Sequence, residues 1–173
     1  MGAFVRLAVL CWVTLIAAGM VFCGLIPHAG AQDLERGFYL ARIMDCGGCH
    51  TPGALAGQPD EKAALSGGGV GFAIPNLGVF YPPNLTPDIA TGLGAWTEAD
   101  IIRAIREGIR PDGRELAPVM PWKSYAALND QDAADLAAYL KSLAAAVNPT
   151  PGPFASSQTP DAPYLSMVMP GKN

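Results

Sequence analysis

Cys46-Gly-Gly-Cys49-His50 is the stretch whose residue types and spacing point most directly to chemistry. Two thiols three positions apart can each add across a vinyl group of one porphyrin, and the imidazole that follows can reach the iron from the same side. These residues predict one covalently attached c-type haem, with Cys46 and Cys49 as the links and His50 as an axial iron ligand. Two other chemistries use similar spacing. A thioredoxin-like redox pair should sit near a βαβ pattern, which this sequence lacks. A structural zinc site needs four ligands, usually from a second Cys/His pair, and outside the motif only Cys11, Cys23 and His28 remain.

What stands opposite His50 decides what such an iron can do. If the N-terminal segment is removed, no second histidine is left, and methionine becomes the best candidate, because a soft thioether favours ferrous iron and raises its potential. Met120 is the strongest choice. It lies in Leu116-Ala-Pro118-Val-Met120-Pro121-Trp122, where prolines on either side restrict the backbone and lower the entropy cost of holding one sulfur against a metal. Core filling is the competing role for any methionine, and it is the preferred reading for Met44, which immediately precedes the motif. Met167 and Met169 lie in a Pro-rich tail. The haem propionates also need partners, since buried unpaired charge is costly; Trp96, Arg110, Arg114, Tyr81 and Asn84 are the candidate donors.

With His50 and Met120 both bound, iron has no open position for oxygen or peroxide. The expected role is one-electron transfer by a carrier, not bond chemistry by an enzyme. The alternative is a haem peroxidase or gas sensor with a displaceable distal ligand, although no second histidine of the mature chain is available as its acid or base.

Three helices would position these groups. Asp33 to Met44 reads as a helix capped by Asp33, with Leu34, Phe38 and Ala41 on one face, and it delivers Cys46 to the porphyrin. Gly37 inside it costs local helix stability, which suggests that a second helix crosses closely there. Thr97-Glu-Ala-Asp100 forms a capping box ahead of Ile101, Ile102, Ile105 and Ile109, with the stop near Gly108. Asn129-Asp-Gln-Asp132 opens a third helix, with Leu136, Leu140, Leu143 and Val147 facing inward and Asn148-Pro149 as its stop. Residues 51 to 95 are rich in Gly and Pro. Their Ser66-Gly-Gly-Gly69-Val-Gly71 run lacks the Gly-Lys-Ser/Thr ending of a phosphate cradle, so it reads as loop wrapped on the haem edge. Strand alternation is missing throughout, and the expected class is all-α with long loops.

Three segments follow from this pattern. Residues 1–31 carry Arg6, an uncharged apolar run from Leu7 to Ile26 and Ala29-Gly30-Ala31, an A-x-A processing site. This reads as a signal peptide or N-terminal membrane anchor, the run of residues 7–26 being about the ~20 needed to span a bilayer. Either outcome places the rest outside the cytoplasm, in the periplasm, free or held at the inner membrane. Residues 32–147 form the haem domain, and 148–173 a Pro-rich extended tail for which disorder is the default expectation. The chain has 11 basic against 15 acidic residues, a balance that argues against nucleic-acid binding and leaves room for a partner with a positive patch.

The ordered set Cys46-Gly-Gly-Cys49-His50-Thr51, Asn84-Leu-Thr-Pro-Asp88, Thr91-Gly-Leu-Gly-Ala-Trp96-Thr97, Arg110-Pro-Asp-Gly113, Pro118-Val-Met120-Pro121 and Asp135-Leu-Ala-Ala-Tyr139-Leu140 resembles the single-haem cytochrome c family. Within it, the chain is most similar to the cytochrome c subunits of bacterial periplasmic alcohol and aldehyde dehydrogenases. The resemblance spans residues 34 to 144. It implies a cytochrome c fold of three to five helices, with N- and C-terminal helices crossing near Gly37 and Tyr139, and His50/Met120 ligation. It also implies electron transfer from a dehydrogenase donor to an oxidase or cytochrome acceptor. Those subunits commonly hold three such domains where this chain has one motif, and they tend to have Tyr-Pro where this chain has Ala117-Pro118.

Overall fold

A computed structural model of the chain describes residues 31–168 and 171. Residues 1–30 of the expected export segment therefore lie outside the described residues, as does Met169. In chain order the elements are α1 (Leu34–Ile43), α2 (Cys46–His50), two 3-10 turns, β1 (Gly71–Ile74), β2 (Gly78–Phe80), α3 (Glu98–Glu107), α4 (Trp122–Tyr125), α5 (Asp130–Ser142) and β3 (Tyr164–Ser166). Among the described residues no helix is long and apolar enough to cross a membrane.

The Asp33 side chain caps α1 by accepting the Arg36 N–H at 3.0 Å. Its buried residues are Gly37, Leu40 and Ala41, whereas Leu34 and Phe38 are half exposed. Of the expected face of Leu34, Phe38 and Ala41, only Ala41 is buried, and the covered stripe is turned by one step around the helix. The cause is the crossing with α5: a Cβ on Gly37 would sit 2.6 Å from Tyr139 Cβ and overlap the Asp135 carbonyl oxygen. The helices meet where one lacks a side chain, so the residues flanking that gap are the ones covered. Asp135, buried in the interface, accepts the Asp33 N–H at 2.9 Å, and Phe38 packs edge-on against Tyr139 with ring centroids 5.7 Å apart.

Thr97 and Asp100 form the expected capping box on α3, which ends at Gly108 with φ 74°. Ile101 and Ile105 enter a core shared with Leu40, Ala41, Leu65, Leu93, Leu136, Ala137 and Leu140. Asn129 caps α5 by accepting the Asp132 N–H at 2.8 Å. This helix stops at Ser142, short of the expected Asn148-Pro149, and Val147 is exposed.

The early stop is explained by a polar clasp that takes up the following backbone. Asn84 Nδ2 donates to Thr91 Oγ1 at 3.0 Å and to the Ala146 carbonyl at 2.7 Å. Its Oδ1 accepts the Thr86 N–H and hydroxyl at 2.9 and 2.8 Å. Thr86 Oγ1 accepts the Ala146 N–H at 3.1 Å, and Thr91 Oγ1 accepts the Asn148 N–H at 3.0 Å. Side-chain partners competing for backbone groups are enough to end a helix. Asn84 is 1% exposed, so removing its amide strands several buried groups. Asn84→Ala should cost about 2 kcal/mol, read as a lowered midpoint in urea unfolding with an unchanged slope.

The all-α expectation is corrected by a three-stranded sheet of order β2-β1-β3. β1 pairs antiparallel with β2, Phe72 opposite Phe80, and parallel with β3, Phe72 opposite Leu165. Strands of three and four residues are too short to display an alternating pattern, and β3 comes from the tail, far along the chain from β1. The tail is accordingly ordered over residues 148–166: Phe154 forms an antiparallel bridge with Val79, and the glycine run leads directly into β1.

Candidate haem attachment site

α2 brings Cys46, Cys49 and His50 together in little more than one turn, directly after α1. Asp45 makes the bend with φ 55°, and Gly48 leaves room for its carboxylate, which a Cβ there would meet at 2.6 Å from Asp45 Cγ. Both thiols are free and partly buried. Burial pushes the Cys46 thiol up to about 11 and also raises Cys49. A redox-active pair would need the opposite shift, toward thiolate. Among the described residues there is no cluster of three His, Cys, Asp or Glu side chains that could hold a metal ion.

His50 is buried, and its Nδ1 lies 2.7 Å from the Pro83 carbonyl oxygen. A carbonyl only accepts, so Nδ1 carries the proton and Nε2 keeps the lone pair free for a metal. Burial lowers the imidazole pKa, against a smaller raising effect of the Pro83 bond, so the neutral ligand form is favoured. The glycine run closes on this helix. Gly67, at φ 111°, donates its N–H to the His50 carbonyl at 2.7 Å, and Gly68 donates to the Pro82 carbonyl at 2.9 Å. A Cβ on Gly68 would overlap the Cys49 carbonyl. Thr51 Oγ1 accepts the Leu65 N–H at 3.1 Å.

Met120 stands on a separate loop after α3. An Ile109–Glu115 bridge closes its first half. The Met120 N–H then donates to the Ala117 carbonyl at 2.9 Å, and the Trp122 N–H donates to the Met120 carbonyl at 2.8 Å. Trp122 seats this loop on the end of α3, where a Cβ on Gly108 would meet its ring at 2.5 Å. Met44 packs against the core, as expected of it, together with Cys46, Leu85, Trp96, Tyr125, Leu128 and Tyr139. These partly buried apolar side chains pack on the core that Cys46 also joins and, with two free thiols and a fixed imidazole, suit a flat apolar macrocycle.

Each propionate candidate already has a partner, Arg110 included, which pairs with Asp112 at 3.4 Å. Asn84 is spent in the clasp, and the Tyr81 hydroxyl donates to the Ala162 carbonyl at 2.7 Å. Arg114 pairs with Asp112 at 3.0 Å. Arg110 stacks over the Trp96 ring at 5.0 Å from its centroid, and Lys141 donates to the Leu93, Gly94 and Trp96 carbonyls at 3.2, 3.0 and 2.9 Å, fixing the turn that carries Trp96. Sequence reasoning overlooked Lys141 and Pro83, because both act through backbone carbonyls that carry no sequence signature.

Comparison with known proteins agrees with this site. The family model described as Cytochrome c matches residues 34–144. The chain is 40% identical over 125 residues to the cytochrome c subunit of a quinone-dependent alcohol dehydrogenase from Gluconobacter oxydans (strain 621H), covering 70% of this chain and 24% of that protein. It is 40% identical over 126 residues to the gluconate 2-dehydrogenase cytochrome c subunit of Pantoea cypripedii, covering 72% of this chain and 26% of that protein. The fructose dehydrogenase cytochrome subunit of Gluconobacter japonicus is 35% identical over 132 residues, 76% of this chain and 25% of that protein. The chain thus spans about a quarter of the length of these relatives. Haem c, when bound, supplies a one-electron ferrous/ferric couple. On the match across residues 34–144, this chain belongs to the cytochrome c family, which implies covalently attached haem c, and Cys46 and Cys49 are placed as a Cys-x-x-Cys-His attachment site for it.

Proposed function

We propose that the chain is an electron-transfer component that accepts single electrons from a dehydrogenase and passes them to an oxidase or another cytochrome, with His50 and Met120 as the two axial ligands. The observation that carries this reading is the fixed imidazole: Nδ1 bound to Pro83 at 2.7 Å leaves Nε2 free, on the same short helix as Cys46 and Cys49. His50 then holds its ring in one orientation and one tautomer, while Met120, on its proline-flanked loop, would supply the second ligand. Keeping ligands and side chains in place between oxidation states lowers the reorganisation that an electron carrier must undergo. The dehydrogenase donor is supported by the relatives, which are named as cytochrome subunits of dehydrogenases.

Residues 1–31 would direct export, placing residues 32 onward in the periplasm, soluble or held at the inner membrane through residues 7–26. Rapid mixing tests the central claim. The ferrous protein should be oxidised quickly by a small outer-sphere oxidant but bind carbon monoxide only slowly, since Met120 must first leave. Fast carbon monoxide binding by the resting protein overturns the carrier in favour of a gas sensor or peroxidase.

A further inference from the structure

The stretch matched by the family model ends at residue 144, yet the chain that follows returns to the side of the molecule that holds His50. Tyr81 is the joint. It is 7% exposed and stands two residues before Pro83, the acceptor for His50 Nδ1. Its hydroxyl donates to the Ala162 carbonyl at 2.7 Å. One edge of its ring meets Phe154 at 6.1 Å between centroids, and its face lies on Gly71, where a Cβ would come within 2.8 Å.

The backbone repeats the same arrangement. Val79 and Phe154 exchange two N–H···O=C bonds of 2.9 Å, and Gly78, at φ 124°, has no Cβ because the Phe154 carbonyl occupies that space. β3 pairs with β1 on the other side of the sheet. Nearer the haem site, Asn148 Nδ2 donates to the Ser66 carbonyl at 2.9 Å. The Thr150 methyl fills the space above Gly67, whose own N–H holds the His50 carbonyl.

We propose that residues 148–166 are a proximal strap: by clamping β2 and the Tyr81 side chain they fix the Pro82-Pro83 segment and so position the imidazole of His50. Tyr81 and Phe154 are positioning residues. The proposal rests on His50 being an iron ligand. A carbonyl that is held still keeps Nδ1–H bonded, and that bond sets the basicity of the coordinating nitrogen.

The test is proton NMR of the ferric holoprotein. Wild type should show a hyperfine-shifted His50 Nδ1–H that exchanges slowly with solvent. Tyr81→Phe and Phe154→Ala should each speed that exchange by roughly two- to tenfold, the range that one net hydrogen bond or packing contact controls. Phe154→Leu, which keeps the apolar bulk, should stay near wild type. Ile105→Val, in the core away from the strap, lowers global stability and should leave the exchange rate alone. If Ile105→Val accelerates exchange as much as Tyr81→Phe, or if neither strap variant changes it, the strap is refuted while His50 ligation stands. If wild type shows no hyperfine-shifted imidazole, the ligand assignment itself falls and takes the strap with it.

Discussion

Met120→Ala should lower the reduction potential by on the order of 0.2 V, a moderate part of the ~0.8 V that axial ligands span. A thioether is a soft ligand that stabilises ferrous iron, so its loss shifts the couple toward the ferric state. Water or an added ligand then takes its place, and carbon monoxide should bind the reduced variant without the delay expected of wild type. The flanking sequence makes this a local change. Pro118 and Pro121 hold the backbone, and the bonds of Met120 N–H to Ala117 and of Trp122 N–H to the Met120 carbonyl use no side-chain atom. The variant should therefore fold and attach haem normally. A spectroelectrochemical titration reads the potential, and the ferric spectrum reads the iron–thioether absorption. An unchanged potential with that absorption intact would assign Met120 to packing and send the search for a ligand elsewhere.

The parts of this molecule that were legible in its sequence are those in which local chemistry and global position coincide. The Cys46–His50 motif is contiguous, so its geometry follows from one turn of chain. The Thr97/Asp100 and Asn129 caps were legible because a cap is satisfied by backbone within three residues. Asn84 is the contrary case. Its sequence neighbourhood suggested a loop amide free to meet a propionate, yet its actual partner is the Ala146 carbonyl, 62 positions away. The sheet was hidden for the same reason: β3 is defined by its register with β1, and nothing in Tyr164-Leu-Ser166 announces that pairing. Even the length of α5 was set from outside, by the clasp that takes up Ala146 and Asn148.

Gly37 shows how a local cost can reveal a distant contact, and it carries the largest stability effect expected of a single substitution here. Glycine in a helix interior loses about 1 kcal/mol against alanine, so a chain that keeps one at position 37 needs a compensating approach. The structure supplies it in α5, whose Asp135 carbonyl and Tyr139 Cβ occupy the space where a side chain would begin. Gly37→Val places branched bulk against backbone on one side and a Cβ on the other, neither of which can rotate away. The helices must separate, uncovering Leu40, Ala41, Leu136 and Ala137, which are at most 5% exposed. The cost should reach at least ~3 kcal/mol, the upper end for an overpacked core, a large share of the ~5–15 kcal/mol that holds a domain folded. The intrinsic preference of α1 works the other way, since valine is a better helix former than glycine. Thermal unfolding of the haem-loaded protein separates the two: a lower midpoint means that the crossing dominates, while an unchanged or higher one would mean that α1 and α5 are not packed this closely. Gly37→Ala, with one methyl group against the same atoms, should fall between Val and wild type.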